Sequence, residues 1–308
     1  MKCLRHPDAI KRWRVGRPSV LTIGAYDGVH VGHQALLAEV GARARQTDAL
    51  PIVMSFEPTP KEFFAGAQAP ARITNFRERA MLFEQHGMGA FFCPRFDARM
   101  AAISVQTFID DLLIDALGTR HLVIGDDFRF GQNAAGGVDD LRSAGFDVEQ
   151  LGSVLQTGER VSSTAVRLAL ASGDMASVRR ALGRTYELCG RVIRGQQLGR
   201  TLGYPTANIA LHRRVSPVSG IFAVRVAGIA GSETCNGVAS IGTRPTVGGE
   251  GVLLEVFVFD FSGDLYGQRL RVELVEKIRD EAHFDSLEAL TEQMDDDSVR
   301  ARRILAAA

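Results

Sequence analysis

The sequence of 308 residues lacks the features that mark several classes of protein. Its 36 basic and 36 acidic residues cancel, which argues against a protein built mainly to coat nucleic acid or an anionic membrane. No segment approaches the roughly 18 uncharged apolar residues of a membrane span, and the first residues contain no apolar core of a signal peptide. The four cysteines are scattered without CxxC or Cys/His pairs, so we expect free thiols in a reducing cytoplasm.

Two common nucleotide-binding motifs are also missing. No GxxxxGK[ST] occurs, which excludes a P-loop NTPase. No GxGxxG follows the first predicted strand, which removes the usual dinucleotide fingerprint. The chain is longer than one hydrophobic core usually organises, so we expect two domains.

The first half alternates short β-rich runs with amphipathic runs of helical length. This alternation predicts an α/β domain, in which a parallel sheet with right-handed crossovers is covered on both faces. The predicted strands cover residues 19–25, 51–58, 90–94, 121–128 and 146–154. The predicted helices cover residues 33–46, 76–87, 104–118 (with Ser104 as N-cap), 162–174 and 175–184.

After about residue 185 the pattern changes. Short β-rich runs are separated by Gly, Pro, Asp and Ser, and no helical segment lies between them. This pattern predicts an all-β domain, either an antiparallel sheet or a small barrel. A helix over residues 286–308 follows it. The predicted domains are therefore residues 1–184 and residues 185–308.

The stretch GAYDGVHVGH (residues 24–33) follows the first predicted strand and leads into a helix. Ligands of α/β sheets bind where the carboxyl ends of strands lead into helix N-termini, and glycines let the backbone approach them closely. At such a place His30 and His33 can hydrogen-bond phosphate oxygens as charge builds in a transition state. Two alternatives stay open: a turn capped by Asp27 with two surface histidines, and a metal-binding pair.

Two further stretches carry groups suited to phosphate or polar contacts. GDDFRFG (residues 125–131) ends a predicted strand with two carboxylates, although an ordinary Asp/Gly turn explains it equally well. VSSTAVR (residues 161–167) puts hydroxyl groups at a helix start and Arg167 one turn further on, which is phosphate-binding chemistry. The alternative for VSSTAVR is a plain serine N-cap.

Two features of the second half suit phosphoryl transfer. Thr206 and Asn208, in what we expect to be a glycine-rich and β-poor connection, offer hard oxygen ligands to a metal or a phosphate. A simple turn is the alternative for that PTAN stretch (residues 205–208). Glu255 lies in a predicted strand that is otherwise almost wholly apolar. A carboxylate there is costly to bury and prone to take a proton, which suits a base for a hydroxyl nucleophile unless the side chain faces solvent.

Taken in order, these motifs resemble a known family. GAYDGVHVGH, FEPTP (residues 56–60), GDDFRFG and VSSTAVR are similar to the N-terminal module of the bacterial bifunctional riboflavin kinase/FMN adenylyltransferase family, a branch of the nucleotidyltransferases with an HxGH signature. GRTLGYPTANI (residues 199–209), GVASIGTRPTV (residues 237–247) and the stretch over residues 254–290 are similar to its riboflavin kinase module. The resemblance covers about residues 15–303. It implies a Rossmann-like domain followed by a small antiparallel β-barrel with a C-terminal helix.

The resemblance also implies reactions, ligands and residue roles. The reactions are phosphorylation of riboflavin to FMN and adenylylation of FMN to FAD, with ATP as co-substrate, Mg²⁺ as cofactor and no nucleic-acid or membrane partner; the oligomeric state is left open. The implied catalytic residues are Glu255 in the kinase and His30 with His33 in the adenylyltransferase. The other implied contacts are to ATP or its phosphates in the adenylyltransferase (Gly24, Tyr26, Asp27, Gly28, Gly32, Ser163, Thr164 and Arg167), to FMN or nucleotide (Asp127), to ATP in the kinase (Gly199, Gly203, Thr206 and Asn208), to the metal (Thr206 and Asn208) and to flavin in the kinase (Arg279 and Phe284).

The sequence departs from the family pattern at two places. Phe257 stands where the family more often has His, but the carboxylate of Glu255 is intact, so we expect kinase activity to remain. Ala25-Tyr26 replaces a commoner pair that ends in Phe, which keeps an aromatic ring. One rival function is a transferase for another small phosphate, which leaves Glu255 without a purpose. The other is a flavin-binding protein without turnover, which does not explain why all the groups for both reactions are present.

Overall fold

The computed structural model describes residues 1–156, 158–195, 203–211, 213, 215–231, 233–246 and 249–308. Contacts divide the chain into two compact units. The first comprises Met1–Pro70 and Thr74–Ser162, and the second comprises Ala71–Ile73 and Ser163–Ala308. The helices over Ser163–Ser172 and Met175–Leu182 thus group with the second unit. The functional boundary that we place after them, at 184/185, stays a prediction.

The first unit is built on a six-stranded sheet. Its strands are β1 Lys2–Leu4, β2 Ser19–Ile23, β3 Leu50–Met54, β4 Ala90–Phe92, β5 Thr119–Gly125 and β6 Asp147–Leu151, and a small hairpin adds β7 Leu155–Gln156 and β8 Glu159–Arg160. Its α-helices are α1 Pro7–Arg14, α2 Val31–Gln46, α3 Pro60–Ala65, α4 Phe76–Gln85, α5 Ala98–Ala101, α6 Val105–Thr107 and α7 Val138–Ser143. Short 3₁₀ turns cover Gly66–Gln68 and Gln132–Ala134, and a π-helical stretch covers Phe108–Ala116.

The order of the strands positions the site. The order is β1-β4-β3-β2-β5-β6, and every neighbouring pair is parallel, as predicted. From β2 the chain adds β3 and β4 on one side and then crosses to place β5 and β6 on the other. The carboxyl ends of β2 and β5 therefore meet at a topological switch point, where open α/β sheets bind ligands.

Both faces of this sheet are buried, as predicted. Successive residues of a strand point to opposite faces. In β2, Val20 packs into one apolar cluster, whereas Leu21 and Ile23 pack into another. A parallel strand that is covered on both sides needs a nearly continuous apolar run, which is what SVLTI provides.

The helices differ from the predicted ones in detail. Helix α2 begins at Val31 rather than at residue 33, because the imidazole of His30 supplies its N-cap. Ser104 is the N-cap that we predicted, and its Oγ accepts the N–H of Thr107 at 3.0 Å. The single helix predicted over residues 104–118 is α6 followed by the π-helical stretch.

The second unit contains a closed antiparallel barrel, which confirms the predicted small barrel. Its strands are β9 Tyr186–Ile193, β10 Thr206–Ala210, β11 Gly220–Ala227, β12 Cys235–Thr246, β13 Gly249–Val258 and β14 Arg269–Arg279, in the order β10-β13-β12-β11-β14-β9. Its described helices are α8 Ser163–Ser172, α9 Met175–Leu182 and α10 Leu287–Ala307, all three predicted. Nowhere in the described part of the chain is a helix long and apolar enough to cross a membrane.

The β-poor connection that we expected around PTAN is wrong, because Thr206–Ala210 form strand β10. Ala207 and Ile209 are buried in the barrel core, and this burial outweighs the weak strand propensity of their polar neighbours. Thr206 and Asn208 alternate with the core residues and therefore lie on the outer face of the barrel.

Candidate functional site

The loop between β2 and α2 has an unusual backbone. The φ angles of Tyr26, Gly28 and Val29 are 51°, 85° and 43°, and only glycine adopts such angles easily. Contacts from Thr74 hold the loop: its backbone N–H donates to Asp27 Oδ1 at 2.9 Å, and its Oγ1 accepts the N–H of Gly28 at 2.8 Å. The carboxylate of Asp27, a predicted ATP contact, thus braces the loop.

The two predicted catalytic histidines lie against each other. His30 is the N-cap of α2, and its Nδ1 accepts the N–H of His33 at 3.4 Å. The two imidazole rings stack with their centroids 3.7 Å apart. An Nδ1 that accepts a hydrogen bond leaves the ring proton on Nε2, so His30 presents an N–H donor at its other end.

Burial affects the pKa of one histidine of this pair, His33. Burial lowers the pKa of His33 well below its ordinary value of 6.5, and the neighbouring His30 lowers it further. His33 is therefore neutral near pH 7. His30 is only 7% exposed, so the alternative of two surface histidines is wrong. Among the described residues no group of three or more His, Cys, Asp or Glu side chains is placed to hold a metal ion, and nothing thus supports the metal-binding alternative.

Glycines at two positions leave room for the rings. A Cβ on Gly32 would lie 3.2 Å from His30 Nδ1, and a Cβ on Gly24 would lie 3.0 Å from the ring of Tyr26. Tyr26 is itself buried, with its ring centroid 4.9 Å from that of His33, and its hydroxyl shares a hydrogen bond with Thr22. These three predicted ATP contacts therefore also shape the packing around the histidines.

The loop after β5 carries a small ionic cluster. Arg160 lies 3.5 Å from an oxygen of Asp126 and 3.2 Å from an oxygen of Asp127. Ser153 donates to Asp126 at 3.0 Å. Asp127 is exposed and lies at the carboxyl end of β5, beside the switch point. Its role as a contact to FMN or nucleotide stays a prediction.

The stretch SSTAVR starts helix α8 in the second unit. Ser163 is the first helical residue, Thr164 is exposed and Arg167 lies one turn further on. Arg167 Nε donates to the carbonyl of Ala71, in the same unit, at 2.7 Å. The predicted grip of these side chains on ATP phosphates stays a prediction.

An aromatic cavity of about 500 Å³ lies in the first unit, and our sequence analysis missed it. Its aromatic lining comprises Phe56, Phe63, Phe64, Phe96, Phe108, Phe128 and Phe130. Ile23, the last residue of β2, also lines it, so the cavity lies at the same sheet edge as the histidine loop. Its residues come from separate stretches of chain, and for that reason no local motif indicates it.

A second cavity, of about 520 Å³, lies on the outside of the barrel. Thr206, Glu255, Arg279 and Phe284 line it, so the structure brings together four residues that the resemblance assigns to the kinase. The residues on either side of Glu255 are buried in the barrel core, and its own side chain therefore points outwards. The cavity leaves Glu255 half-buried, facing neither the core nor open solvent.

Asn208 completes this group. It lies directly opposite Glu255 in the pairing of β10 with β13 and is 6% exposed. A Cβ on Gly195 would come within 2.6 Å of the Asn208 amide, so the backbone packs closely over that side chain. The oxygens of Asn208 and Thr206, the two predicted metal ligands, are of the hard kind that Mg²⁺ favours, and they fit a metal whose remaining ligands are nucleotide oxygens and water.

Acidic residues of α10 attach that helix beside the cavity. Arg279 donates to Asp297 with Nε at 3.0 Å and Nη2 at 2.7 Å, and its guanidinium lies 5.7 Å from the ring centre of Phe284. The hydroxyl of Tyr204, another cavity residue, donates to Asp295. Our sequence analysis missed Tyr204 and both aspartates. For the aspartates the reason is that nothing in a charged helix indicates which carboxylates turn inwards.

Three further positions of the kinase module are predicted or unusual: Gly199, Gly203 and Phe257. Gly199 lies outside the described residues. Gly203 has a φ of 84°, in the left-handed region that favours glycine. Phe257 lines the cavity with its ring edge-on to that of Tyr204 at 4.9 Å, so an aromatic wall stands where the family more often has His.

A parallel sheet with paired histidines at its switch point and a barrel with a carboxylate in a cavity define a two-domain enzyme that transfers phosphate groups. Residues 14–165 match the family model for FAD synthetase, and residues 182–305 match that for riboflavin kinase. The chain therefore belongs to the bifunctional riboflavin kinase/FMN adenylyltransferase family, which confirms the resemblance, the fold class and the pair of enzyme activities drawn from its motifs.

The sequence matches to curated relatives extend over almost the whole chain. The bifunctional riboflavin kinase/FMN adenylyltransferases of Escherichia coli K12 and Pseudomonas fluorescens are each 46% identical to it. These matches cover 92% and 94% of this chain, and 91% and 94% of the relatives. A crystal structure described as a macrolide-efflux protein from Streptococcus pneumoniae has the same fold, with a TM-score of 0.78, 31% identity and coverage of 91% of this chain and 92% of its own.

Proposed function

We propose that residues 185–308 phosphorylate riboflavin to FMN and that residues 1–184 adenylylate FMN to FAD. One observation supports this assignment most directly: Glu255 is half-buried, lines the barrel cavity and lies opposite Asn208 on the neighbouring strand. A fixed carboxylate in a ligand-sized cavity is what a hydroxyl nucleophile needs as its base. In residues 1–184, the stacked His30 and His33 supply hydrogen-bond donors at a helix start.

In the kinase reaction, the 5′-hydroxyl oxygen of riboflavin attacks the γ-phosphorus of ATP. Glu255 accepts the hydroxyl proton, the bond from the γ-phosphorus to the bridging oxygen breaks, and FMN and ADP are formed. Thr206 and Asn208 would hold Mg²⁺ together with the phosphates of ATP. A metal bound there would neutralise negative charge on the phosphates. Arg279 and Phe284 would line the flavin ring at the other wall of the cavity.

In the adenylyltransferase reaction, a phosphate oxygen of FMN attacks the α-phosphorus of ATP, and pyrophosphate leaves. The attacking oxygen is already anionic, so no base is needed. Nε2–H of His30 and the neutral ring of His33 would donate hydrogen bonds to the oxygens on which charge builds. Ser163, Thr164 and Arg167 would hold the phosphates of ATP, and Asp127 would contact FMN or the nucleotide.

The aromatic cavity of the first unit is a suitable place for the flavin ring of FMN. Its volume of about 500 Å³ lies in the range of small-molecule sites, and its phenylalanine rings can stack on a planar tricyclic ring. This location would bring the FMN phosphate to the sheet edge that carries the histidines. Cysteines outside disulfides and the use of ATP fit the cytoplasm as the location of the enzyme.

One incubation tests both activities. The protein is mixed with riboflavin, ATP and Mg²⁺, and riboflavin, FMN and FAD are separated by chromatography over time. We expect FMN to appear first and FAD to follow. If no FMN forms from riboflavin, the kinase assignment is wrong; if added FMN is not converted to FAD, the adenylyltransferase assignment is wrong.

A further inference from the structure

The loop that carries the two histidines is held at its start by a buried guanidinium. Arg79, on α4, is 1% exposed. Its Nη1 donates to the carbonyl of Ala25 at 2.9 Å, and Ala25 directly precedes the strained part of the loop. Ser55 Oγ donates to the same carbonyl at 3.3 Å, so two donors converge on one backbone oxygen.

Packing alone does not call for an arginine at this place. Of the other buried residues of α4, Leu82 and Phe83 are apolar and Glu78 forms the capping box with Asn75. A buried guanidinium is costly unless its charge and donors are matched. Here the charge and both terminal nitrogens are matched: Nη2 of Arg79 donates to the Glu57 carboxylate at 2.8 Å, and Nη1 also donates to Ser55 Oγ at 2.9 Å. The arginine therefore supplies directed hydrogen bonds to this loop, which an apolar side chain cannot do.

The path from Ala25 to the histidines is short. Tyr26, Gly28 and Val29 have positive φ, and for non-glycine residues such conformations cost about 1–3 kcal/mol each and persist only where the surroundings hold them. His30 follows Val29 directly and caps α2. If the Ala25 carbonyl is released, the loop can relax towards ordinary angles, and the cap and the stacked rings move with it.

We propose that Arg79 is a positioning residue for adenylyl transfer, which fixes His30 and His33 by holding the Ala25 carbonyl. This inference rests on the proposed function of residues 1–184. Arg79 acts through the backbone of the loop and not on the reacting atoms. A positioning error of about 1 Å can lower a rate by about a hundredfold, which is the scale of the expected effect.

The test uses the full chain and compares kcat and KM for ATP in the conversion of FMN to FAD. Arg79→Met is expected to lower kcat by about a hundredfold. Arg79→Lys is expected to lower it by about tenfold, since one ammonium group cannot serve Ala25 and Glu57 in the same geometry. The fall in kcat should exceed any rise in KM for ATP, because the histidines act on the transition state, whereas the predicted ATP contacts of the loop affect KM. Formation of FMN from riboflavin should be unchanged in each variant.

Three further variants keep the test decisive. Arg77→Met removes an exposed arginine of the same helix and should leave both activities unchanged. Ser55→Ala removes a donor to the same carbonyl with little change in packing, and a fall in kcat of about threefold is expected. If Arg79→Met does not fold, the kcat of Ser55→Ala tests the positioning role instead. Guanidinium chloride, at millimolar concentrations that do not denature the chain, should restore part of the kcat of Arg79→Ala.

The outcomes separate the two levels of inference. If the unaltered chain forms no FAD from FMN, the proposed function fails. If it does, and folded Arg79→Lys and Ser55→Ala both keep its kcat, the positioning role is overturned. A rise in KM for ATP with unchanged kcat would also overturn it, because that result would make Arg79 a contributor to nucleotide binding only.

Discussion

Asn208 and Glu255 lie directly opposite each other on neighbouring antiparallel strands of the barrel, with both side chains on its outer face. The amide is almost fully buried, and the carboxylate, which lines the barrel cavity, is half-buried, so the sheet holds both groups at fixed positions. The proposed base and the proposed metal ligand lie on one rigid sheet rather than on loops, which would keep the nucleophile and the phosphate in a constant relation.

Replacing Glu255 by Gln should therefore abolish one reaction only. The amide keeps the size of the side chain but cannot accept the hydroxyl proton, so we expect FMN formation to fall by about a thousandfold. Conversion of added FMN to FAD should stay at the level of the unaltered chain. Glu276→Gln, an exposed carboxylate on strand β14 of the same barrel, should change neither rate. Loss of both activities in Glu255→Gln would contradict the assignment of the two reactions to separate sites.

Gly32→Ala should separate activity from stability. Alanine favours the helix by up to about 1 kcal/mol, so the free energy of unfolding should not fall. Its Cβ, however, would lie 3.2 Å from His30 Nδ1, and the imidazole must move by a few tenths of an ångström. We expect kcat for FAD formation to fall by about tenfold, with FMN formation unchanged.

Gly41→Ala is the matched control on the same helix. The added Cβ would meet only the flexible end of Arg45, at 3.4 Å. We expect a gain in stability of about 1 kcal/mol, measured by urea unfolding, and no change in either activity. If Gly32→Ala forms FAD at the original rate, the close packing of His30 on this glycine has no catalytic importance.

The buried state of His33 should make stability depend on pH. In the unfolded chain this histidine takes up a proton near pH 6.5, whereas in the folded chain burial and His30 keep it neutral well below that pH. The unfolded state then binds more protons, so this contribution to stability is complete above pH 6.5 and is lost as the pH falls further. One such group changes the free energy of unfolding by at most about 1.4 kcal/mol per pH unit.

Urea unfolding above and below pH 6.5 measures this contribution. The unaltered chain should lose more stability on acidification than His33→Asn, because the asparagine does not titrate. The difference between the two pH dependences isolates the contribution of His33 from that of other groups. Equal pH dependences in the two proteins would mean that His33 is hydrated and titrates normally in the folded state.

The parts of the fold that could be predicted are those in which local pattern and environment agree. SVLTI has apolar residues pointing to both faces because both faces of β2 are buried, and the histidine motif follows it directly in the chain. Strand β10 was missed because Ile209 is its only large apolar residue, and Ala207, the other residue in the core, is small. The hydrogen bonds from Arg79 and Ser55 to the Ala25 carbonyl were missed for another reason, and so was the aromatic cavity. Their members are distant in sequence, and only the folded chain brings them together.

A buried and an exposed ion pair attach α10 to the barrel, and they allow a matched comparison. Arg279 binds Asp297, which is 3% exposed, beside the cavity. Arg302 binds the exposed Asp260 with similar two-bond geometry, at 2.8 and 2.9 Å. Because a buried carboxylate is far less screened by water than an exposed one, the two pairs should differ in their contribution to stability.

Asp297→Asn should lower the free energy of unfolding by about 2 kcal/mol, since the Arg279 guanidinium loses its buried counter-charge. Loosening of the helix beside the cavity should raise KM for riboflavin by about tenfold, which steady-state FMN formation measures. FAD formation from added FMN should be unaffected. Asp260→Asn should alter neither stability nor KM, because water already screens that pair. If both variants behave alike, α10 is held by its apolar contacts, and the Arg279–Asp297 pair does not shape the flavin cavity.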